Sequence, residues 1–411
     1  MGKSALTEAC IEDAGSILVA PSVLHDIDLV RDFFGSTITP GDLATGSPDL
    51  GQKTVYLCGD VSGISGHQLR AASRVFVIRE LSQGYREDDD DDDPWTIVDI
   101  GRVPVRMGGV GVYYRRFFEL GGDHFGRISA EHEFQSLTES TKPGTAHRSG
   151  IYLTPVAQDA GELHFRLLRC STNFSGPTEN FRPTDTRVVE DLNREAAAIF
   201  RSPATLNHVL AQIYHNTLAT AERKQAKAKI SAHADKTKDM PANGIMAFCT
   251  FYDQLDKLQP LVEDAFDYGV KGVSGLTKLH FRLKESTEQR EESALPSQFT
   301  VTLYPGSVFF MPLSTNRLYT HEIRPSMLDA RLLPTRLGYV VRCSNAEAVH
   351  RDGRTFLKVA GDLVELEPPT PDGMDELRRL YAEENRTASF IDYGDDILFS
   401  MNAGDYDAPR V

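Results

Sequence analysis

From Gly244 to Arg342 the chain is a succession of short runs rich in β-branched and aromatic residues, separated by turn residues, and this limits the fold more than any other feature. The runs are Gly244–Tyr252, Lys278–Lys284, Phe299–Tyr304, Val308–Met311, Arg317–Ile323 and Thr335–Arg342. Each is too short for a packed helix, and their alternating faces predict a β-sandwich or jelly roll. Gln254–Leu276 and the highly charged Glu285–Ser297 read as insertions between strands. Upstream, Ile151–Val156 and Leu163–Cys170 flank the turn residues Gln158–Gly161 as a hairpin. Thr184 or Asp185 can cap a helix carrying Leu192, Ala196 and Ile199, which Pro203 ends. Leu206, Val209, Leu210 and Ile213 stand at i, i+3, i+4 and i+7, the apolar stripe of a second helix. The class expected is mainly β with flanking helices (α+β).

Two stretches of this region carry chemistry. In Ile230–Tyr252, ISAHADKTKDMPANGIMAFCTFY, His233 and Asp235 lie two residues apart in an extended segment. Alternate residues of a strand share a face, so the imidazole and carboxylate can close on one ion. With a second histidine such a pair suits the arrangement that holds non-haem Fe(II) on three protein ligands and leaves positions open. A surface His–Asp pair is the plainer alternative. Downstream, Gly306–Arg342 places His321 after an apolar segment, then Arg336 and Arg342 within TRLGYVVR. Their even spacing puts both guanidiniums on one strand face with Gly338 and Val340, and two such forks suit a dicarboxylate.

The order H-x-D, then His, then R-x5-R resembles the AlkB-like family of Fe(II)/2-oxoglutarate-dependent dioxygenases. The likeness extends to Asn216 in place of the family's N-x-Y, Lys229-Ile230 before His233-Ala234-Asp235-Lys236, Gly306-Ser307-Val308, Asn316–His321, and Ile323 with Pro325. It covers about Asp191–Ser344. The chain departs from the family at Leu218, where Tyr is expected, at Thr237, where some nucleobase-specific members are acidic, and in the insertion Leu218–Lys227. The resemblance implies a double-stranded β-helix (jelly roll) catalytic core. It implies His233, Asp235 and His321 as Fe(II) ligands, with these three and Arg336 as the catalytic set. It also implies 2-oxoglutarate held by Arg336 at its distal carboxylate, by Arg342 near the metal-bound end, and by Asn216. Dioxygen is the second cosubstrate, and ascorbate the expected reductant. Lys236, Asp239, Phe174, Phe181 and Arg182 are the candidates to touch substrate, the last three from a loop in the position of the family's lid. The reaction implied is hydroxylation or oxidative demethylation, with a methylated or alkylated nucleobase in nucleic acid as the leading substrate. A protein or small-molecule hydroxylase is the runner-up, and a non-catalytic binding module of the same fold the third reading.

Composition bounds the rest. At 411 residues, with 40% hydrophobic and 25% charged residues, the chain allows two domains or one decorated core. The division expected is an accessory region 1–149, a catalytic core 150–358 and an acidic extension 359–411. Ser22–Phe34 reads as partly helical, Thr54–Leu57 and Val75–Leu81 as strands, and Gly373–Glu384 as a helix, while DYGDD and AGDYD read as surface or tail. The Gly-rich GGVG run lacks the residues of a phosphate loop, and Tyr113, Tyr114, Phe117 and Phe118 read as core. Glu131-His132-Glu133 reads as structural. The five cysteines lack metal-type spacing and read as reduced thiols. MGKSALTEAC carries no secretory apolar region, and the chain has no long apolar run, so a soluble intracellular protein of cytoplasm or nucleus, without a membrane partner, is expected. Net charge −15 excludes indiscriminate coating of nucleic acid, and Glu87–Asp93 is a solvated acidic block. Against it, Arg223, Lys224, Lys227, Lys229, Lys236 and Lys238 form a basic cluster flanking the iron ligands, fit to draw in an anionic strand.

Overall fold

The computed structural model describes residues 15–46, 49–86, 95–108, 110–136, 148–169, 175–288, 295–394 and 397–411. The protein is mainly β with few helices. Its centre is a nine-stranded sheet in which Glu179–Asn180, Arg148–Thr154, His208–Tyr214, Thr335–Arg342, Ile245–Asp253, Val308–Pro312, Gly111–Tyr114 and Val105–Met107 lie side by side, with Gln135–Ser136 on Arg148–Thr154. A four-stranded sheet, ordered Ile230–His233, Tyr319–Arg324, Lys278–Leu283 and Gln298–Thr302, faces it.

Strand alternation divides the large sheet's side chains between two cores. Leu337, Tyr339 and Val341, with Ile245, Ala247, Cys249 and Phe251, pack under the helix Pro183–Ile199, whose Val188, Leu192, Ala196 and Ile199 form one apolar stripe. Met246, Phe248, Phe309 and Met311 point the other way, against Leu279, Phe281, Tyr319 and Ile323 of the small sheet. The central strands are therefore covered on both faces and read as near-continuous apolar runs, IMAFCTF and VFFM. A buried clamp holds the start of the helix Pro183–Ile199. His132 sits between Glu179, 2.9 Å from Nδ1, and Asp185, 2.7 Å from Nε2, while Tyr339 donates its hydroxyl to Asp185 at 2.7 Å. Burial works against the imidazolium, but the hydrogen bonds to Asp185 and Glu179 outweigh it and raise His132 to about 9.

At the N-terminal side, Ser36–Ile38, Ser16–Val19, Thr54–Asp60, Arg74–Gln83 and Thr96–Val98 form a parallel sheet in that order. Hydrogen bonding crosses both boundaries expected from the sequence. Gly111–Tyr114 pairs with Val308–Pro312, and Asp362–Glu365 pairs with Arg354–Val359. Tyr113, Tyr114, Phe117 and Phe118 are buried core, as expected. The C-terminal helix spans Pro371–Arg386, bracketing the expected Gly373–Glu384. Among the described residues no helix is long and apolar enough to cross a membrane, and Cys58, Cys249 and Cys343 are free and buried.

Three expectations need correction. Leu206–Ile213 is no helix, because His208–Tyr214 is a strand paired on one edge with Arg148–Thr154 and on the other with Thr335–Arg342. All seven of its residues are buried, and a strand covered on both faces has no polar alternation to contradict a helical stripe. The hairpin around Ala160-Gly161 is made by Ala157–Asp159 with Glu162–Leu167, both turn residues having positive φ, while Arg148–Thr154 belongs to the large sheet. AGDYD is surface only at its ends, since Gly404 and Asp405 are buried and the Asp405 carboxylate accepts from Ser400 and Asn402. The acidic block Glu87–Asp93 lies outside the described residues.

Candidate metal centre

Between the two sheets lies a cavity of about 290 Å³. Its floor comes from the strand Thr335–Arg342, which turns Arg336, Gly338, Val340 and Arg342 into it, and from Leu210, Gln212 and Tyr214 of the neighbouring strand. Phe248 and Thr250 come from the same sheet, and Leu279, His321 and Ile323 from the facing one.

His233 and His321 are register partners across the antiparallel pair Ile230–His233 and Tyr319–Arg324, their rings 4.5 Å apart. The strand stops at His233, so Asp235 lies just beyond its end rather than on its face as the sequence suggested. The carboxylate converges all the same. Its Oδ1 is 3.6 Å from His233 Nε2 and 4.0 Å from His321 Nε2, and one donor atom from each of the three residues falls within 4.8 Å of the others. Two features orient this set. His233 Nδ1–H donates to the Ser231 carbonyl at 2.9 Å, so Nε2 is the nitrogen turned toward Asp235. Arg342 donates Nε–H and Nη2–H to Asp235 Oδ2 at 3.2 and 2.8 Å, which commits that oxygen and leaves Oδ1 facing the imidazoles.

Protonation follows. Burial opposes the Asp235 anion, but the Arg342 charge and the His233 hydrogen bond hold the carboxyl well below its usual range. His321 is pushed down to about 3, first by burial and then by the neighbouring His233, so it is a neutral imidazole near pH 7. Burial also lowers His233, but the hydrogen bond and charge of Asp235 prevail and raise it. Among the described residues His321 Nδ1 meets no hydrogen-bond partner.

Arg336 is the other exceptional group. It is 5% exposed, its guanidinium carbon lies 3.8 Å from the centre of the Tyr214 ring, and its Nε and Nη2 meet no hydrogen-bond partner among the described residues. Arg336 lines the cavity, and a buried cation with two unused donors suits a carboxylate that the chain does not provide. Gly338 leaves room for it, since a Cβ there would stand 2.9 Å from Arg336 Nη1 and 3.2 Å from Tyr214 Cε2.

The remaining expected residues are distributed more widely. Lys236 lines the cavity, its ammonium 4.2 Å from the centre of the Tyr381 ring. Asn216 does not; its side chain accepts the Ala228 amide at 3.0 Å and holds the base of the loop that follows. Asp239 is buried away from the cavity, accepting from the Arg169 guanidinium at 2.7 Å and the Arg169 amide at 2.7 Å, with Lys238 at 3.2 Å. Phe181 packs against the helix-side core, and Arg182 starts the Pro183–Ile199 helix, its amide donating to Asp185. Neither lines the cavity, and Phe174 lies outside the described residues. Two of the six clustered cations are spent inside the protein: Lys238 on Asp239, and Lys227 on the carbonyls of Ser326 and Leu328. Sequence reasoning missed Tyr214, Tyr152, Arg148 and Asn385, all of which line the cavity. The signal for Tyr214 was hidden by reading its strand as a helix. Asn385 comes from a helix far along the chain and left no local signal.

No protein-family model matches the chain, and no curated protein matches it. Solved structures do. One is the non-haem α-ketoglutarate-dependent epimerase SnoN from nogalamycin biosynthesis, 13% identical, covering 58% of this chain and 79% of that one, with a TM-score of 0.33. OsALKBH1 is 11% identical over 57% of this chain and 96% of that one, TM-score 0.33. A prolyl-4-hydroxylase from Pseudomonas putida is 11% identical over 55% and 84%, TM-score 0.27. Similarities of this size do not define a family for the chain.

Proposed function

We propose that this protein is an Fe(II)- and 2-oxoglutarate-dependent oxygenase that hydroxylates or oxidatively demethylates its substrate, with the nine- and four-stranded sheets as a double-stranded β-helix. One observation carries the reading: a single cavity holds both a two-histidine, one-carboxylate donor set and a buried guanidinium with unused donors. Two imidazoles, His233 giving up its proton to the incoming ion, and one carboxylate on adjacent backbone elements fit Fe(II), a borderline ion that takes nitrogen and oxygen donors and keeps further positions open. When bound, the iron would supply the activation of dioxygen, with 2-oxoglutarate as the electron donor.

The chain's own residues do the rest. His233, Asp235 and His321 bind the metal, and Arg342 keeps one carboxylate oxygen turned toward it. Arg336 takes the distal carboxylate of 2-oxoglutarate on its free Nε and Nη2 edge, held in plane by the Tyr214 ring. Phe248, Leu279 and Ile323 line the same space and keep water from it. The core is residues 150–358 together with the Val105–Tyr114 strands, the flanking regions being additions. For the substrate, a methylated or alkylated nucleobase is the first class to test. Arg148 and Lys236 on the cavity wall offer cations to an anionic molecule.

The test incubates the protein with Fe(II), ascorbate, 2-oxoglutarate and dioxygen and measures succinate, with and without pooled methylated nucleic acids. Succinate formation that Asp235→Ala abolishes is the expected result. Succinate from wild type and variant alike would overturn the site assignment. Formation unaffected by the nucleic acids would move the substrate to a protein or small molecule.

A further inference from the structure

Beyond the end of the strand at His233, the backbone of Ala234–Thr237 has left the sheet ladder, yet it carries one metal-ligand candidate and connects to another. Amides that leave a ladder in a buried site need other acceptors. Here they find side chains from elements remote in sequence. The Ala234 amide donates to Asn385 Oδ1 at 2.7 Å. The Asp235 amide donates to Asn316 Oδ1 at 2.8 Å, and Asn316 Nδ2 returns a hydrogen bond to the Asp235 carbonyl at 2.8 Å. The Thr237 amide lies 3.3 Å from both oxygens of Glu384, which also accepts the Thr237 hydroxyl.

Asn385 and Glu384 belong to the last turn of the C-terminal helix Pro371–Arg386. That turn is pinned from below. Lys284, 4% exposed, donates to the carbonyls of Glu384 at 2.6 Å, Thr387 at 3.1 Å and Asn316 at 3.3 Å. An ammonium at a helix C-terminus meets unpaired carbonyls and the negative end of the helix dipole together. Tyr393 donates its hydroxyl to Glu384 from the segment that follows. Helix end, Lys284 and Asn316 thus form a closed frame around the His233–Thr237 segment, and Asn385 also lines the cavity.

We propose that Asn385 and Glu384 are positioning residues of the metal centre, and that the C-terminal helix completes a site whose ligands lie more than a hundred residues earlier or, for His321, on the strand paired with Ile230–His233. The proposal rests on the oxygenase reading only in taking His233, Asp235 and His321 as ligands. Outer groups that orient ligands typically change metal affinity by ten- to a hundred-fold when removed.

The experiment titrates full-length metal-free protein with Co(II) alone and follows its visible ligand-field bands, in wild type, Asn385→Ala, Asn385→Asp, Asp235→Ala and Arg379→Ala. Asn385→Ala should weaken Co(II) binding by about ten-fold and alter the bands, with the protein still folded and only the modest fall in melting temperature that a stranded Ala234 amide brings. Asn385→Asp keeps an acceptor for the Ala234 amide and should restore both to near the wild-type values. Arg379→Ala, on the exposed face of the helix, should change neither. Wild-type binding in Asn385→Ala would overturn the positioning role with the metal centre intact. No binding by wild type, or equal binding by Asp235→Ala, would instead overturn the metal-centre reading. Should Asn385→Ala fail to fold, hydrogen exchange in the wild type decides. Strong protection of the Ala234 and Thr237 amides supports the frame, and exchange at the rate of open chain overturns it.

Discussion

Replacing Arg336 with Met should make the ligand-free protein more stable and remove the stabilisation that cosubstrate brings. The Arg336 guanidinium is buried with Nε and Nη2 unpartnered among the described residues, and each unsatisfied buried donor costs about 1–3 kcal/mol. Its stacking on Tyr214 at 3.8 Å returns about 1–2 kcal/mol, and Met keeps most of the apolar stem. With two such donors, less the stacking, the net gain for Arg336→Met without ligand is about 0–5 kcal/mol, and a gain of about 1 kcal/mol is already within reach of urea denaturation followed by circular dichroism. Under anaerobic conditions with Fe(II) and 2-oxoglutarate at a hundred times its dissociation constant, wild type should gain about 2.7 kcal/mol and the variant almost nothing. The difference in stability therefore shifts toward wild type by about that amount on adding cosubstrate. A variant less stable than wild type without ligand would mean that the guanidinium is already satisfied. An equal gain with 2-oxoglutarate would mean that it is not the clamp.

Gly338→Ala should reduce the apparent affinity for 2-oxoglutarate about ten-fold, roughly 1.4 kcal/mol, because the added Cβ displaces Arg336 Nη1; isothermal titration with Mn(II) bound, and Mn(II) affinity itself unchanged, checks it. Asp235→Ala should abolish succinate formation and also cost about 3 kcal/mol of stability, since it strands the Arg342 charge inside the protein; a variant that is inactive but as stable as wild type would contradict the buried pair. The His132 clamp should make stability fall with rising pH. Its folded value of about 9 lies above the unfolded value of about 6.5, so its contribution is complete below pH 6.5 and is lost as pH rises through 9, by at most about 3 kcal/mol. His132→Gln should flatten that slope in denaturation measured at several pH values.

Several residues that the sequence singled out, His233, Asp235, His321, Arg336 and Arg342, line one cavity in the structure. Arg336-x5-Arg342 is fixed by the geometry of one strand, and the structure puts Arg336, Gly338, Val340 and Arg342 on one face for that reason, whereas Asp235 lies past the end of the His233 strand and converges through the loop that follows. Gly244–Tyr252 and Val308–Met311 were legible as strands because they are short runs of β-branched and aromatic residues bounded by turn residues, not because their residues alternate.

What failed depended on surroundings. His208–Tyr214 reads equally well as helix or strand until its two neighbours are known, because both of its faces are buried. Asp239 and Lys238 resembled a substrate contact and a surface cation, and became a buried pair only when Arg169 arrived from another strand's end. The sequence by itself determined which side chains could bind a metal and a dicarboxylate, since that follows from chemical type and from periodicity along one strand. The tertiary structure alone decided that His233 lies opposite His321, that Arg336 Nε and Nη2 meet no hydrogen-bond partner among the described residues while Arg336 lines the same cavity, and that Asn385 and Glu384 close on the Ala234–Thr237 segment. Those are pairings between residues from 88 to about 150 positions apart, and no local preference of the chain encodes them.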